Sequence, residues 1–195
     1  MAEESAPVDH IVALVPQSER EVLGEFPPVL AAQEECEELN SLDKMAEMSE
    51  VTVLADGEVG KRQVIELFGP KARIEIPCRC ELPFLCMQVR DMDRFLSFEF
   101  HVVDHERRVR RFMVSNRQSA ARVQAQAASL PLELKKGAWN YVNIDLADLT
   151  QRAFGTMYQR CKLVAVNSTC RVLRIFFQDR AYEDVELPHF LRIIK

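Results

Sequence analysis

Glycine is scarce in this chain, with six in 195 residues, and none falls into the GxGxxG or GxxxxGK[ST] spacing whose backbone amides cradle phosphates. ATP and dinucleotides are therefore not expected as ligands. No stretch approaches the roughly 18 uninterrupted apolar residues of a membrane helix. The start, Met1-Ala2-Glu3-Glu4, has neither the basic nor the apolar region of a secretory leader, so a soluble, cytosolic protein is expected. Six cysteines, at 36, 78, 80, 86, 161 and 170, are scattered without a leader and read as reduced thiols, not a disulfide framework. Cys78-x-Cys80 with Cys86 lacks the second pair of a zinc knuckle. His101 and His105 straddle a strand end and a loop, where a spacing of four does not converge ligands, so a solvated loop is expected. Ser97, Ser115, Ser119 and Ser129 have no nucleophile elbow or glycine-rich oxyanion loop around them. Neither enzyme activity, metal nor cofactor is expected.

What is present is enough for one core: 48% of residues are apolar and 28% charged, within the globular range at this length. The net charge of -5 is unevenly spread. Residues 1–50 hold 2 basic and 13 acidic side chains, a net of -11, whereas residues 51–195 carry a net of +6. The division expected is an acidic, Pro-rich arm over 1–50 and a folded domain over 51–195, with the core after about residue 60. Pro7, Pro16, Pro27 and Pro28 favour extended chain around the short apolar run Ile11 to Val15. From Pro28 to about Met48, Val29, Ala32, Cys36, Leu39, Leu42, Met45 and Ala46 recur at intervals of three and four, the period of an amphipathic helix. That helix either packs on its own domain or docks on a basic partner.

Beyond Gly60 the period shortens. Residues 63–68, 72–76 and 84–89 are apolar runs separated by Gly69-Pro70 and Leu82-Pro83, as strands and turns are. Phe95 to Val103 alternates, the loop Asp104-His105-Glu106 follows, and Arg108 to Val114 returns, which predicts a hairpin. Further strands are expected at 139–144, 161–166 and 171–178. Between the first two, Leu146, Leu149 and Ala153 keep helical spacing and Gly155 can close the C-terminus, predicting one short helix. Val172, Ile175 and Phe177 with Leu173 and Phe176 make the last strand apolar on both faces, to be covered by a second sheet and by the helix. Eight or more strands with one inserted helix and no βαβ alternation predict an all-β sandwich.

The main polar feature is a run of arginines: Arg107, Arg108, Arg110, Arg111, Arg117 and Arg122, with no acid after Glu106. Alternation puts Arg108 and Arg110 on one strand face, opposite Val109 and Arg111. This is edge or rim character. It is either a solvated edge protected by charge or a footprint for an acidic partner, nucleic acid or protein. Without a recognition helix or stacking aromatic pair, the protein partner is favoured.

Several ordered stretches carry a resemblance: Leu82-Pro83-Phe84-Leu85, Phe95 to Phe100, Arg107 to Phe112, Ser115 to Ser119 with Arg122-Val123, Trp139-Asn140, Asp148 to Thr156, Cys170-Arg171 with Phe176 to Arg180, and Glu186-Leu187-Pro188. Over about residues 63 to 193 the chain resembles the cilia- and flagella-associated protein 20 family. The resemblance implies a jelly-roll-like β-sandwich similar to carbohydrate-binding modules. It also implies a structural role at the inner junction of ciliary doublet microtubules, with tubulin and inner-junction proteins as partners. The acidic arm and an extra residue, Ala138, between Gly137 and Trp139 depart from the family pattern and suit a divergent member or paralogue. Nucleic-acid binding through the arginines and glycan binding are the alternatives. Trp139, at a strand start, is expected in the core, not as a stacking platform.

Overall fold

The computed structural model describes residues 11–15, 51–183 and 185–193. The helix expected between residues 28 and 48 lies outside them. Among the described residues, ten strands and one α-helix follow in chain order: β1 (Ile11–Val15), β2 (Val51–Asp56), β3 (Arg62–Leu67), β4 (Arg73–Cys80), β5 (Phe84–Asp104), β6 (Val109–Ser115), β7 (Arg122–Val123), β8 (Ala127–Pro131), β9 (Trp139–Asp145), α1 (Leu146–Phe154) and β10 (Tyr158–Gln178).

The spine is the antiparallel pair of 21-residue strands β5 and β10, paired from Tyr158 opposite Asp104 to Gln178 opposite Phe84 with four register shifts on the way. Four runs read as separate strands in the sequence are thus two continuous ones. The largest of these shifts lies in mid-strand. Ser168 faces Leu96 and Cys170 faces Asp91, so Met92 to Phe95 oppose Thr169 alone, and Asp93 and Ser168 take φ of 53° and 71°. The bulge reverses the alternation: Leu85, Met87 and Val89 line the core before it, and Leu96, Phe98, Phe100 and Val102 after it. Such a bulge turns a strand from one layer of a sandwich to the next. One apolar cluster lies between the layers, with Phe100 and Phe112 stacked 4.9 Å apart.

The other strands flank this spine. β6 and β9 pair with β5, and β4, β3 and β1 pair with β10. β2 pairs with β3 from Val51 opposite Leu67, so the folded domain starts before residue 60. The backbone of β1 pairs with residues 175–178 of β10, which ties part of the acidic arm to the sheet. α1 forms where expected: the Asp145 side chain accepts from Asp148 N at 2.9 Å, and Gly155, at φ 68°, closes the far end.

One cover differs from expectation. Phe176 is fully buried with Cys86, Leu187 and Leu191, so the segment after β10, and not α1, lies over that face. Arg62 holds this segment by donating to the carbonyls of Arg192 (2.8 Å) and Ile193 (2.9 Å), and Gln88 donates to that of Leu191. α1 packs at the other end, with the Phe154 ring edge-on to Phe112 at 5.3 Å.

Candidate interaction surface

The outward side of the β4-β10-β5-β6-β8 portion carries a charged row. Register places His101 beside Arg111, Glu99 beside Ala165 and Met113, and Asn167 beside Arg73. Glu99 is the hub. Its Oε1 lies 2.5 Å from His101 Nε2 and 3.2 Å from Arg111 Nε, and its Oε2 lies 3.6 Å from Arg73. Burial alone would raise the Glu99 pKa, but the His101 hydrogen bond and the Arg73 and Arg111 charges outweigh it and hold the carboxyl below its ordinary value. His101 is thus engaged in mid-sheet, not in a solvated loop. His105 also has a partner, since its Nδ1 accepts from Met157 N at 3.0 Å.

The six arginines do not form one patch. Arg111 is exposed, and so is Arg122. Both stand on the outward face, because Arg122 opposes Ser129 and Ser129 opposes Met113. Arg107 and Arg108 are exposed at the β5–β6 turn, with Arg108 2.8 Å from Glu106. Arg117 lies at the opposite end of β6, 4.9 Å above the Phe95 ring.

Arg110 is the correction: it is buried instead of at the rim. Its Nε donates to Asp104 Oδ2 at 2.7 Å, its Nη1 to the carbonyl of Ala125 at 2.7 Å, and its guanidinium lies 4.8 Å from the Phe154 ring centroid. Arg108 N also donates to Asp104 Oδ1 at 2.8 Å. Asp104 therefore organises the hairpin turn from inside. Burial would raise its pKa, yet the Arg108 amide and the Arg110 guanidinium hold it below the ordinary carboxylate range.

A third buried carboxylate, Asp56, is treated alike. Burial is opposed by the Glu58 amide at 2.8 Å, by Arg171 at 2.9 Å and by Arg90 at 3.6 Å, which together lower its pKa. Asp56, Glu99 and Asp104 thus all hold protons less tightly folded than unfolded. Their stabilisation is complete above the unfolded values, near 4, and is lost as pH falls through the lower folded values. Thermal unfolding should be flat with pH above about pH 5 and fall steeply below about pH 4. A melting temperature unchanged down to pH 3 would contradict these placements.

Elsewhere chemistry is sparse. Cys80, Cys86, Cys161 and Cys170 are buried, and burial pushes the Cys80 thiol up to about 11 and the Cys86 thiol to about 12. Among the described residues no three His, Cys, Asp or Glu converge as a metal site, and no helix is long and apolar enough to cross a membrane. Trp139 is half-buried, packed against Val59, Val64 and Leu173.

Fold and surface together define a β-sandwich domain whose polar groups are organised as ion-pair networks on its sheet faces. The pattern of the CFA20 domain matches residues 19–195, and the chain belongs to this family. Curated relatives carry the name Cilia- and flagella-associated protein 20. That of Chlamydomonas reinhardtii is 34% identical over 155 residues, 75% of this chain and 80% of the relative. That of Paramecium tetraurelia is 40% identical over 108 residues, 55% of this chain and 56% of the relative. That of Caenorhabditis briggsae is 38% identical over 108 residues, 55% and 53% respectively. The chain thus spans about half the length of the last two.

Proposed function

We propose that this chain is a non-enzymatic structural protein of the ciliary and flagellar axoneme. In this reading its sandwich binds tubulin or inner-junction proteins of the doublet microtubules, and the acidic segment 1–50 reaches a second partner. The observation that carries it is the pair Arg111 and Arg122 on one sheet face with Arg107 and Arg108 at the adjoining turn, all exposed, in a family whose curated members are named for cilia and flagella. Arg107 and Arg122 make no ion pair among the described residues, so their charge is available to an acidic surface. Such contacts steer association and weaken as salt shortens the Debye length to about 8 Å at physiological ionic strength.

Co-pelleting with microtubules should fall as salt rises. Reversal of Arg107, Arg108 and Arg122 to Glu should reduce it by roughly tenfold at 0.1 M salt while the fold persists, because all three side chains are exposed and none holds a buried carboxylate. Binding at the wild-type level by the folded triple variant would remove the arginines from the interface. A parallel titration with RNA at the same salt separates the nucleic-acid alternative. Exclusion of the tagged protein from cilia would overturn the axonemal reading.

A further inference from the structure

The cysteines look scattered in the sequence, but the fold brings two of the described ones face to face. Cys80, the last residue of β4, stands opposite Cys161 of β10 in the antiparallel register. Both side chains belong to the apolar cluster between the layers, Cys80 at 7% and Cys161 at 0% exposure, so they share one face of the sheet. Cys86 faces Phe176 and Asn143, and Cys170 faces Leu67 and Asp91. Neither of these has a cysteine across the ladder.

Facing residues of an antiparallel pair have Cα atoms about 4.5 to 5.5 Å apart, inside the roughly 4.4 to 6.8 Å that disulfides span. Their Cβ atoms, at about 4.5 to 5.5 Å, need to close by up to about 1 Å to reach disulfide spacing. Slack for that movement lies beside the pair. The register of β4 on β10 shifts between Cys161 and Leu163, so that Cys78 and Arg79 oppose Lys162 alone, and β4 pairs with no other strand among the described residues. Tyr158, three residues before Cys161, donates its hydroxyl to the carbonyls of Cys80 at 2.8 Å and Leu82 at 3.1 Å, which pins the end of β4 against β10 at this place. Cys161 Sγ makes weak contacts, at 3.4 Å, to the carbonyls of His101 and Leu163, and a thiol gives these up at little cost.

We propose that Cys80 and Cys161 are joined as a disulfide on sustained exposure to hydrogen peroxide, forming a covalent brace between β4 and the spine. The sulfur of Cys80, the more exposed of the two, attacks a peroxide oxygen. The O–O bond breaks, Cys80 becomes a sulfenic acid, and the departing hydroxide leaves as water with the thiol proton. The Cys161 sulfur then attacks the Cys80 sulfur, the S–O bond breaks, and the second hydroxide leaves as water with the Cys161 proton. Two thiols are thus oxidised by two electrons while one hydrogen peroxide is reduced to two waters. Burial pushes the Cys80 thiol up to about 11, so thiolate is scarce and the pair answers prolonged oxidation, not a brief pulse. The brace does not depend on the arginine reading.

The test is exposure of the folded full chain to hydrogen peroxide, then alkylation of the remaining thiols and mass mapping of its peptides without reductant. A linked pair holding Cys80 and Cys161, two hydrogens lighter than the separate peptides, is expected. The melting temperature should rise by roughly 5 to 10 °C, reversibly with dithiothreitol, because the bond closes a long loop of the unfolded chain. Cys161→Ala should abolish both the link and the rise, whereas Cys78→Ser should keep both. Should Cys161→Ala fail to fold, Cys80→Ala at the strand end takes its place, and the peptide map of the unaltered chain decides by itself. The proposal is overturned by absence of the linked pair after prolonged oxidation, by a link that forms only in denaturant, by Cys78 in place of Cys80 in the linked pair, or by a linked chain that melts no higher than the reduced one.

Discussion

Replacing Arg110 with glutamate is expected to cost at least about 3 to 5 kcal/mol and to leave little folded protein. The substitution removes the cation from a buried pair at 2.7 Å and sets a second carboxylate against Asp104, which has no exposure to water. It also strips the Ala125 carbonyl of its donor and the Phe154 ring of its cation. Arg110→Met keeps the volume but still orphans Asp104, so it should fall between wild type and glutamate. Arg108→Glu, two residues away and exposed, should change stability by less than about 0.5 kcal/mol. Thermal unfolding of the three variants is the measurement, and an Arg110→Glu protein melting with the wild type would refute the buried pair.

Phe176→Ala should destabilise the domain by about 3 to 5 kcal/mol, lowering the melting temperature by roughly 10 °C for a domain of this size. Phe176 is fully buried between β5, β10 and the segment after β10, touching Cys86, Leu187 and Leu191. Its loss opens a cavity under a cover held mainly by three hydrogen bonds from Arg62 and Gln88. The segment after β10 should therefore loosen first, giving faster amide exchange at Leu187 and Leu191 than in α1. Equal exchange at both places would show that the cover does not depend on Phe176.

Legibility differed between elements for physical reasons. The β5–β6 hairpin and α1 were readable because their signals are local: strict alternation about a polar turn, and a helical period ending at glycine. The continuity of β5 was not, since the polar run Arg90-Asp91-Met92-Asp93-Arg94 looks like a loop and is a bulge held by pairing with distant β10. Arg110 misled the reading because it was compared with Arg108 alone. Phe112 and Val114 share its parity and are buried, and with Asp104 across the turn they were the available signal for an inward arginine. The Glu99 hub joins β4, β5 and β6, so its pattern does not exist in the linear order. The cover over Phe176 was missed because the segment after β10 lacks the regular period that marks an element.

The long pairing of β5 with β10 also sets how this domain must assemble. Its innermost pair, Asp104 with Tyr158, closes a loop that contains four strands and α1, and its outermost joins Phe84 to Gln178. Closure entropy is spent before any of these contacts stabilises the chain, which places the domain among the slow, high-contact-order folders, on the millisecond-to-second scale. Because both strands run through the bend into both layers, neither layer can complete its sheet alone. The chain therefore exposes the apolar edges of two unfinished layers until the spine closes, and during synthesis that cannot happen before Gln178 has left the ribosome.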